Sequence, residues 1–133
     1  MESQYNYKRV LLVDDVELDN FVAETIIRIY KFAEIIHVHT SGESALSFLK
    51  ENANTNGQFP DVIFVDINMP VMDGFLFIEN LKRDLKNSIS TVKPKLVMLT
   101  SSVYVSDLQR AKQGFEDIVY IVKPLTEETL KLI

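Results

Sequence analysis

Apolar runs and polar breaks alternate along the whole chain. Leu11-Leu12-Val13, Val62-Ile63-Phe64-Val65, Leu96-Val97-Met98-Leu99 and Ile118-Val119-Tyr120-Ile121-Val122 are continuous apolar runs. Bounded by turn signals, such runs suit parallel strands buried on both faces. A fifth segment, Ile35-Ile36-His37-Val38-His39, alternates instead, as a half-exposed edge strand does. Leu18, Phe21, Val22, Thr25, Ile26 and Ile29 recur at helical spacing and predict a first helix from about Glu17 to Tyr30. In that helix they face the core, and Asp19, Glu24 and Arg28 face outward. Ser41 predicts the cap of a short helix carrying Ala45, Leu46, Phe48 and Leu49. Met69-Pro70 and Asp73-Gly74 mark a tight turn before a third helix with Phe75, Ile78, Leu81 and Leu85 on one face. The segments from Asn52 to Gly57 and from Asn87 to Pro94 read as loops, and a fourth helix starting near Ser106 buries Leu108 and Ala111. Thr126 caps a fifth helix that opens with Glu127-Glu128 and reaches Ile133 after barely two turns, which is short for a closing helix. Strand alternating with helix predicts an α/β fold with a parallel sheet. The expectation is a single domain over residues 1–133, with 1–7 an N-terminal tail and the final helix cut short.

The strand-like runs end in chemistry. The first meets Asp14-Asp15, the second Asp66, the third Thr100 and the fourth Lys123-Pro124. In an open α/β sheet the ligand crevice lies beyond the carboxyl ends of the strands, so parallel neighbours would bring these groups together. Two unit charges 4 Å apart repel by ~4 kcal/mol at an effective dielectric near 20. Clustered carboxylates must therefore protonate, separate or hold a cation. Hard oxygen donors select Mg²⁺, with Mn²⁺ an acceptable substitute. With no cysteine and histidines only at His37 and His39, a zinc site is disfavoured. An aspartate can also attack phosphorus to give an aspartyl phosphate. Asp66, alone at the end of what should be the central strand, is best placed for that. Lys123 and Thr100 can each meet an oxygen of the transferring phosphoryl group.

Composition narrows the classes. Of 133 residues, 47% are hydrophobic and 25% charged, which argues for a globular domain and against disorder. A net charge of −5 argues against nucleic acid or an anionic membrane as partner. No apolar run approaches the ~20 residues of a membrane span, and no signal-peptide pattern opens the chain, so the expected location is cytoplasmic. The absence of cysteine excludes disulfides and thiol catalysis.

The stretches Leu12-Val13-Asp14-Asp15, Asp66-Ile67-Asn68-Met69-Pro70-Val71-Met72-Asp73-Gly74, Met98-Leu99-Thr100-Ser101 and Tyr120-Ile121-Val122-Lys123-Pro124 resemble the receiver domains of two-component response regulators. The resemblance runs from about Lys8 to Leu130 with all motifs in order, and the Asp-x-x-Met-Pro-x-Met-Asp-Gly stretch is specific on its own. It implies a doubly wound (βα)5, flavodoxin-like fold, its five-stranded parallel sheet in the order 2-1-3-4-5. It further implies that Asp66 accepts phosphate from a sensor histidine kinase or a phosphotransfer protein. Mg²⁺ would be held by Asp15 and Asp66 directly, by Asp14 mainly through water, and by the backbone carbonyl of Asn68. Thr100 and Lys123 would contact the phosphoryl group. Thr100 and Tyr120 would carry the switch to a face built from the fourth helix, fifth strand and fifth helix, read by a downstream protein the sequence does not identify. The implied protein catalyses only its own phosphorylation and dephosphorylation and is not otherwise an enzyme. It would be a monomer or a weak phosphorylation-dependent dimer, with no nucleic acid bound by this domain and no membrane contact. One departure is the segment from Gly114 to Val119, longer than the compact Gly-Ala turn common in receivers.

Each residue alone has a plainer reading. Asp14 or Asp15 suits a helix cap, Thr100 a turn hydroxyl, Lys123 a solvated lysine and Tyr120 a core tyrosine. Their joint placement at four strand ends is what favours phosphoryl chemistry. His37 and His39 read as exposed edge polarity, Phe75, Phe77 and Phe115 as core, and Tyr104 as a surface tyrosine. A haloacid-dehalogenase-type phosphatase shares the aspartyl phosphate but needs a second aspartate two positions on, where this chain has Asn68. A flavodoxin-like carrier lacks its hydroxyl-rich loop here, and the P-loop pattern is absent.

Overall fold

The computed structural model describes residues 4–55, 57–101, 115 and 117–133. The described elements run β1 (Tyr7–Val13), α1 (Glu17–Ile29), β2 (Ala33–His39), α2 (Gly42–Asn52), β3 (Val62–Asp66), α3 (Gly74–Asp84), α4 (Lys86–Val92), β4 (Lys95–Thr100), β5 (Val119–Val122) and α5 (Glu127–Leu130). The strands form one parallel sheet in the order β2-β1-β3-β4-β5, a flavodoxin-like doubly wound fold. The fourth helix expected near Ser106, with Leu108 and Ala111, lies outside the described residues, as do Tyr104, Gly114 and Glu116.

Strand parity divides the core. Leu11, Val13, Ile63, Val65 and Met98 point to one side, where they meet Ala45, Leu46 and Leu49 of α2 and Phe75, Phe77, Ile78 and Leu81 of α3. Val10, Leu12, Val62, Phe64, Val97 and Leu99 point to the other, toward Ala23 and Ile27 of α1 and Leu130 of α5. All five residues of β3 are buried, as a central strand between two helical layers requires. Caps expected from the sequence are present. Ser41 accepts from the Ser44 N–H, and Thr126 forms a capping box with Thr129. Phe75, Phe77 and Phe115 are core residues, the rings of Phe75 and Phe115 meeting edge to face at 5.0 Å.

Four expectations need correction. β1 begins at Tyr7, which is therefore strand rather than tail; its N–H donates to the Phe32 carbonyl at 2.9 Å. The segment expected as a loop from Asn87 forms α4, because Leu85 bends the chain and restarts the helix, with Ile89 packing on the core. Helix α1 buries Asn20, Ala23 and Ile27, while Leu18 is 68%, Phe21 65% and Ile29 61% exposed. The small Ala23 lets the helix lie close to the sheet, and the Asn20 amide donates to the Asp14 carbonyl at 2.8 Å, so this arc and not the larger apolar stripe turns inward. His37 and His39 are not free edge polarity. Both rings pack on Phe48, at 4.7 and 4.9 Å, and His39 Nδ1 lies 3.1 Å from Ser44 Oγ. Burial there, with the Arg9 and His39 charges, holds His37 below the usual histidine value, and burial does the same for His39.

Candidate functional site

The carboxyl ends of β1, β3, β4 and β5 converge. At the end of β1 the Asp14 N–H donates to the His39 carbonyl at 3.1 Å, and its Oδ1 accepts from the Val16 N–H at 3.0 Å. Asp14 thus organises the entry into α1, whose cap residue Val16 has no side-chain hydrogen bond of its own. Asp66 closes β3, and the next residue is tied in place by Ile67 N–H to Leu99 carbonyl and Gly74 N–H to Ile67 carbonyl, both 2.9 Å. That second bond needs glycine. A Cβ on Gly74 would lie 2.7 Å from the Asp66 carbonyl oxygen and 2.9 Å from Ile67 Cα. Across the intervening turn Val71 is held at φ 69 and is 90% exposed, and Asp73 caps α3 through the Leu76 N–H at 2.8 Å. A β-branched residue in that left-handed region is strained, which marks the turn beside Asp66 as tightly constrained.

Asp14, Asp15 and Asp66 each offer one oxygen within 4.8 Å of the others. Asp14 and Asp66 are buried, at 3% and 4% exposure, and Asp15 is more open. Lys123, which follows β5 and precedes a cis proline peptide, reaches across them. Its Nζ lies 2.6 Å from Asp14 Oδ2, 2.8 Å from Asp19 Oδ2 and 3.3 Å from Asp66 Oδ1. Burial, then the Asp14 charge, pushes the Asp66 carboxyl up to about 6, against the opposing pull of Lys123 and the Asn68 N–H. Burial opposes the Lys123 charge, but hydrogen bonds to Asp14 and Asp19 and the charges of Asp66 and Asp14 hold the ammonium above the ordinary lysine value.

Thr100 ends β4, is 6% exposed, and accepts the Lys123 N–H on its carbonyl at 2.7 Å. Tyr120 sits on β5 in register with Met98 and packs, half-buried, against the α2 and α3 side of the core. Of the residues singled out in the sequence, Asp14, Asp15, Asp66 and Lys123 form one charge cluster. Thr100 stands at the adjoining strand end, the Asn68 backbone faces Asp66, and Tyr120 lies one layer away. Asp19, assigned from periodicity to the outer face of α1, belongs to the cluster. Its signal was positional, since the first turn of a helix that starts directly after a strand overhangs that strand's end.

Beside Lys123 a cavity of about 270 Å³ is lined by Leu18, Asp19, Val22, Leu99, Ser101 and Pro124. A larger one, about 580 Å³, lies at the opposite end of the sheet near Lys8, Thr55 and Thr91 and includes none of the clustered charges. Charge, burial and converging donors all mark the carboxyl edge.

Comparison with known proteins identifies the family. The family model described as the response regulator receiver domain matches residues 10–133. A solved two component response regulator from Cytophaga hutchinsonii is similar with a TM-score of 0.83 and 33% identity, over 95% of this chain and 92% of that one. The heme response regulator HssR of Staphylococcus epidermidis is 35% identical over 124 residues, 91% of this chain and 46% of that protein. Histidine kinase 2 of Arabidopsis thaliana is 29% identical over 140 residues, 92% of this chain and 11% of the kinase. The chain thus spans less than half the length of these two relatives.

Proposed function

The chain belongs to the response regulator receiver domain family of two-component systems, and on that premise we propose that it accepts a phosphoryl group on Asp66 and changes its protein contacts in response. What carries the reading is a buried carboxylate at the end of the central strand, flanked by two further carboxylates and one ammonium. An Asp66 oxygen attacks phosphorus. The phosphorus–nitrogen bond to the donor's histidine breaks, the imidazole keeps the electron pair, and it takes a proton from water. Lys123 meets the charge that develops on the phosphoryl oxygens, and the Thr100 hydroxyl donates to another of them.

The donor set fits a hard divalent cation, since the three clustered ligands are all carboxylates and their oxygens lie within 4.8 Å of one another. Asp15 and Asp66 would hold Mg²⁺ or Mn²⁺ directly, with Asp14 through water and with the Asn68 carbonyl. The ion supplies charge neutralisation for nucleophile and phosphoryl group alike. The protein acts on no separate substrate; it catalyses only its own phosphorylation and its hydrolytic reversal.

A sensor histidine kinase or phosphotransfer protein is the donor. To bring an imidazole onto Asp66 it must cover the rim of the pocket, where Leu18 and Val22 of α1 stand 68% and 36% exposed beside Lys123. This accounts for an apolar stripe that the core leaves unused. Readout runs through Thr100 and Tyr120 to the face of β5 and α5. Acetyl phosphate with Mg²⁺ is expected to add one phosphate by intact mass, with no adduct in Asp66→Asn. An adduct of equal yield in that variant refutes the assignment.

A further inference from the structure

Lys123 is surrounded by more negative charge than it can satisfy. Its Nζ donates to Asp14 at 2.6 Å and to Asp19 at 2.8 Å, while Asp66 stands farther off at 3.3 Å. Both shorter partners come from the β1 end and α1, so the ammonium is drawn to the α1 side of the pocket and away from the residue it is to assist.

The three carboxylates differ in what can relieve them. Phosphorylation removes Asp66's own charge and puts about −1.5 to −2 on the phosphoryl group. Asp14 belongs to the trio of oxygens close enough to share a cation. Asp19 belongs to neither arrangement. It lies outside that trio, with its side chain 38% exposed on α1. Among the described residues it is therefore the one ion-pair partner of Lys123 that is neither the phosphoacceptor nor one of the clustered metal-ligand candidates.

We propose that Asp19 is a positioning residue that competes with a phosphoryl group on Asp66 for Lys123, and so sets how firmly the pocket holds phosphoryl oxygens. The competition is confined to the lysine, whose flexible four-carbon stem can exchange one acceptor for another. Asp19 is not among the residues whose oxygens cluster closely enough to share a cation. The proposal rests on Asp66 as the phosphoacceptor.

Beryllofluoride, a phosphoryl mimic, tests it with Mg²⁺ saturating and the Kd read by NMR titration. Asp19→Asn, which keeps an acceptor but removes the charge, is expected to tighten binding about two- to fivefold, the scale of a partly exposed ion pair. Asp19→Glu, which keeps the charge, is expected to restore the unmutated Kd. Glu17→Gln removes a charge from the same helical turn, where no ion pair links Glu17 to Lys123, and is expected to leave the Kd unchanged. Unchanged or weaker binding in Asp19→Asn overturns the proposal. Equal tightening in Glu17→Gln also overturns it, because the effect is then the general field of α1 and not a shared lysine. If the unmutated protein binds no beryllofluoride, it is the phosphoacceptor reading that fails.

Discussion

Replacing Asp66 by Asn is expected to stabilise the metal-free protein, by an amount that depends on pH in a defined way. The carboxyl stands at about 6 against an ordinary 3.8, chiefly through burial and the nearby Asp14 charge. Two pKa units correspond to about 3 kcal/mol at ~1.36 kcal/mol each. An effective dielectric well above that of a dry interior moderates this to about 1–2 kcal/mol. Between the unfolded value and about 6 the folded protein holds a proton that the unfolded chain has released. Stability therefore falls as pH rises through that window, and the full cost is present above it. Asparagine does not titrate and keeps the polar contacts, while Lys123 retains Asp14 and Asp19. The advantage of the variant should be near zero at about pH 4 and reach about 1–2 kcal/mol by about pH 7.5, or about 3–8 °C in Tm. Urea titrations in EDTA across that range measure it, and carboxylates remote from the pocket cancel between the two proteins. A variant no more stable at neutral pH, or one equally favoured at both ends of the range, would refute the reasoning.

Two further outcomes follow from the same geometry. Mg²⁺ at ten times its Kd is expected to add ~1.4 kcal/mol to the stability of the unmutated protein; Asp15→Asn should shrink that increment without harming the metal-free fold, and a melt indifferent to Mg²⁺ counts against the site. Gly74→Ala places a methyl 2.7 Å from the Asp66 carbonyl oxygen, for a loss of about 1–3 kcal/mol in urea unfolding; an alanine variant as stable as the parent would show that the close approach is not required.

The sheet was legible because each strand except β2 contains a continuous apolar run that meets a residue of different chemistry at its end. A buried parallel strand leaves few alternatives to that pattern. Ser41 and Thr126 were legible for an equally local reason, since a cap depends only on the next three residues. Helix α1 misled because it is apolar on more of its circumference than the sheet can cover. Periodicity locates an amphipathic helix but does not say which of two apolar arcs turns inward. That choice fell to Asn20 and Ala23, a hydrogen bond and a small side chain that hydrophobicity does not rank. With the helix turned, Asp19 came over the strand ends, so the missed site residue and the misassigned face are one error. Helix α4 escaped because Lys86 to Val92 has neither an N-terminal cap nor a buried residue, and its helicity continues from α3 through Leu85. The contact of His37 and His39 with Phe48 spans two elements, which no local window reveals.

The backbone bond from the Lys123 N–H to the Thr100 carbonyl, 2.7 Å long, is the last rung between two strand ends. With Ile67 tied to Leu99 and Asp14 to His39, it fixes the anchor points of the cluster to the sheet like feet bolted to a frame. Adjustment then belongs to the side chains, and their reach is unequal. The aspartates and the threonine are short and sweep little space about their anchors, whereas the lysine stem sweeps a wide arc. The cluster behaves as a rigid bench with one long arm, and differences between the contents of the pocket are registered chiefly in where that arm comes to rest.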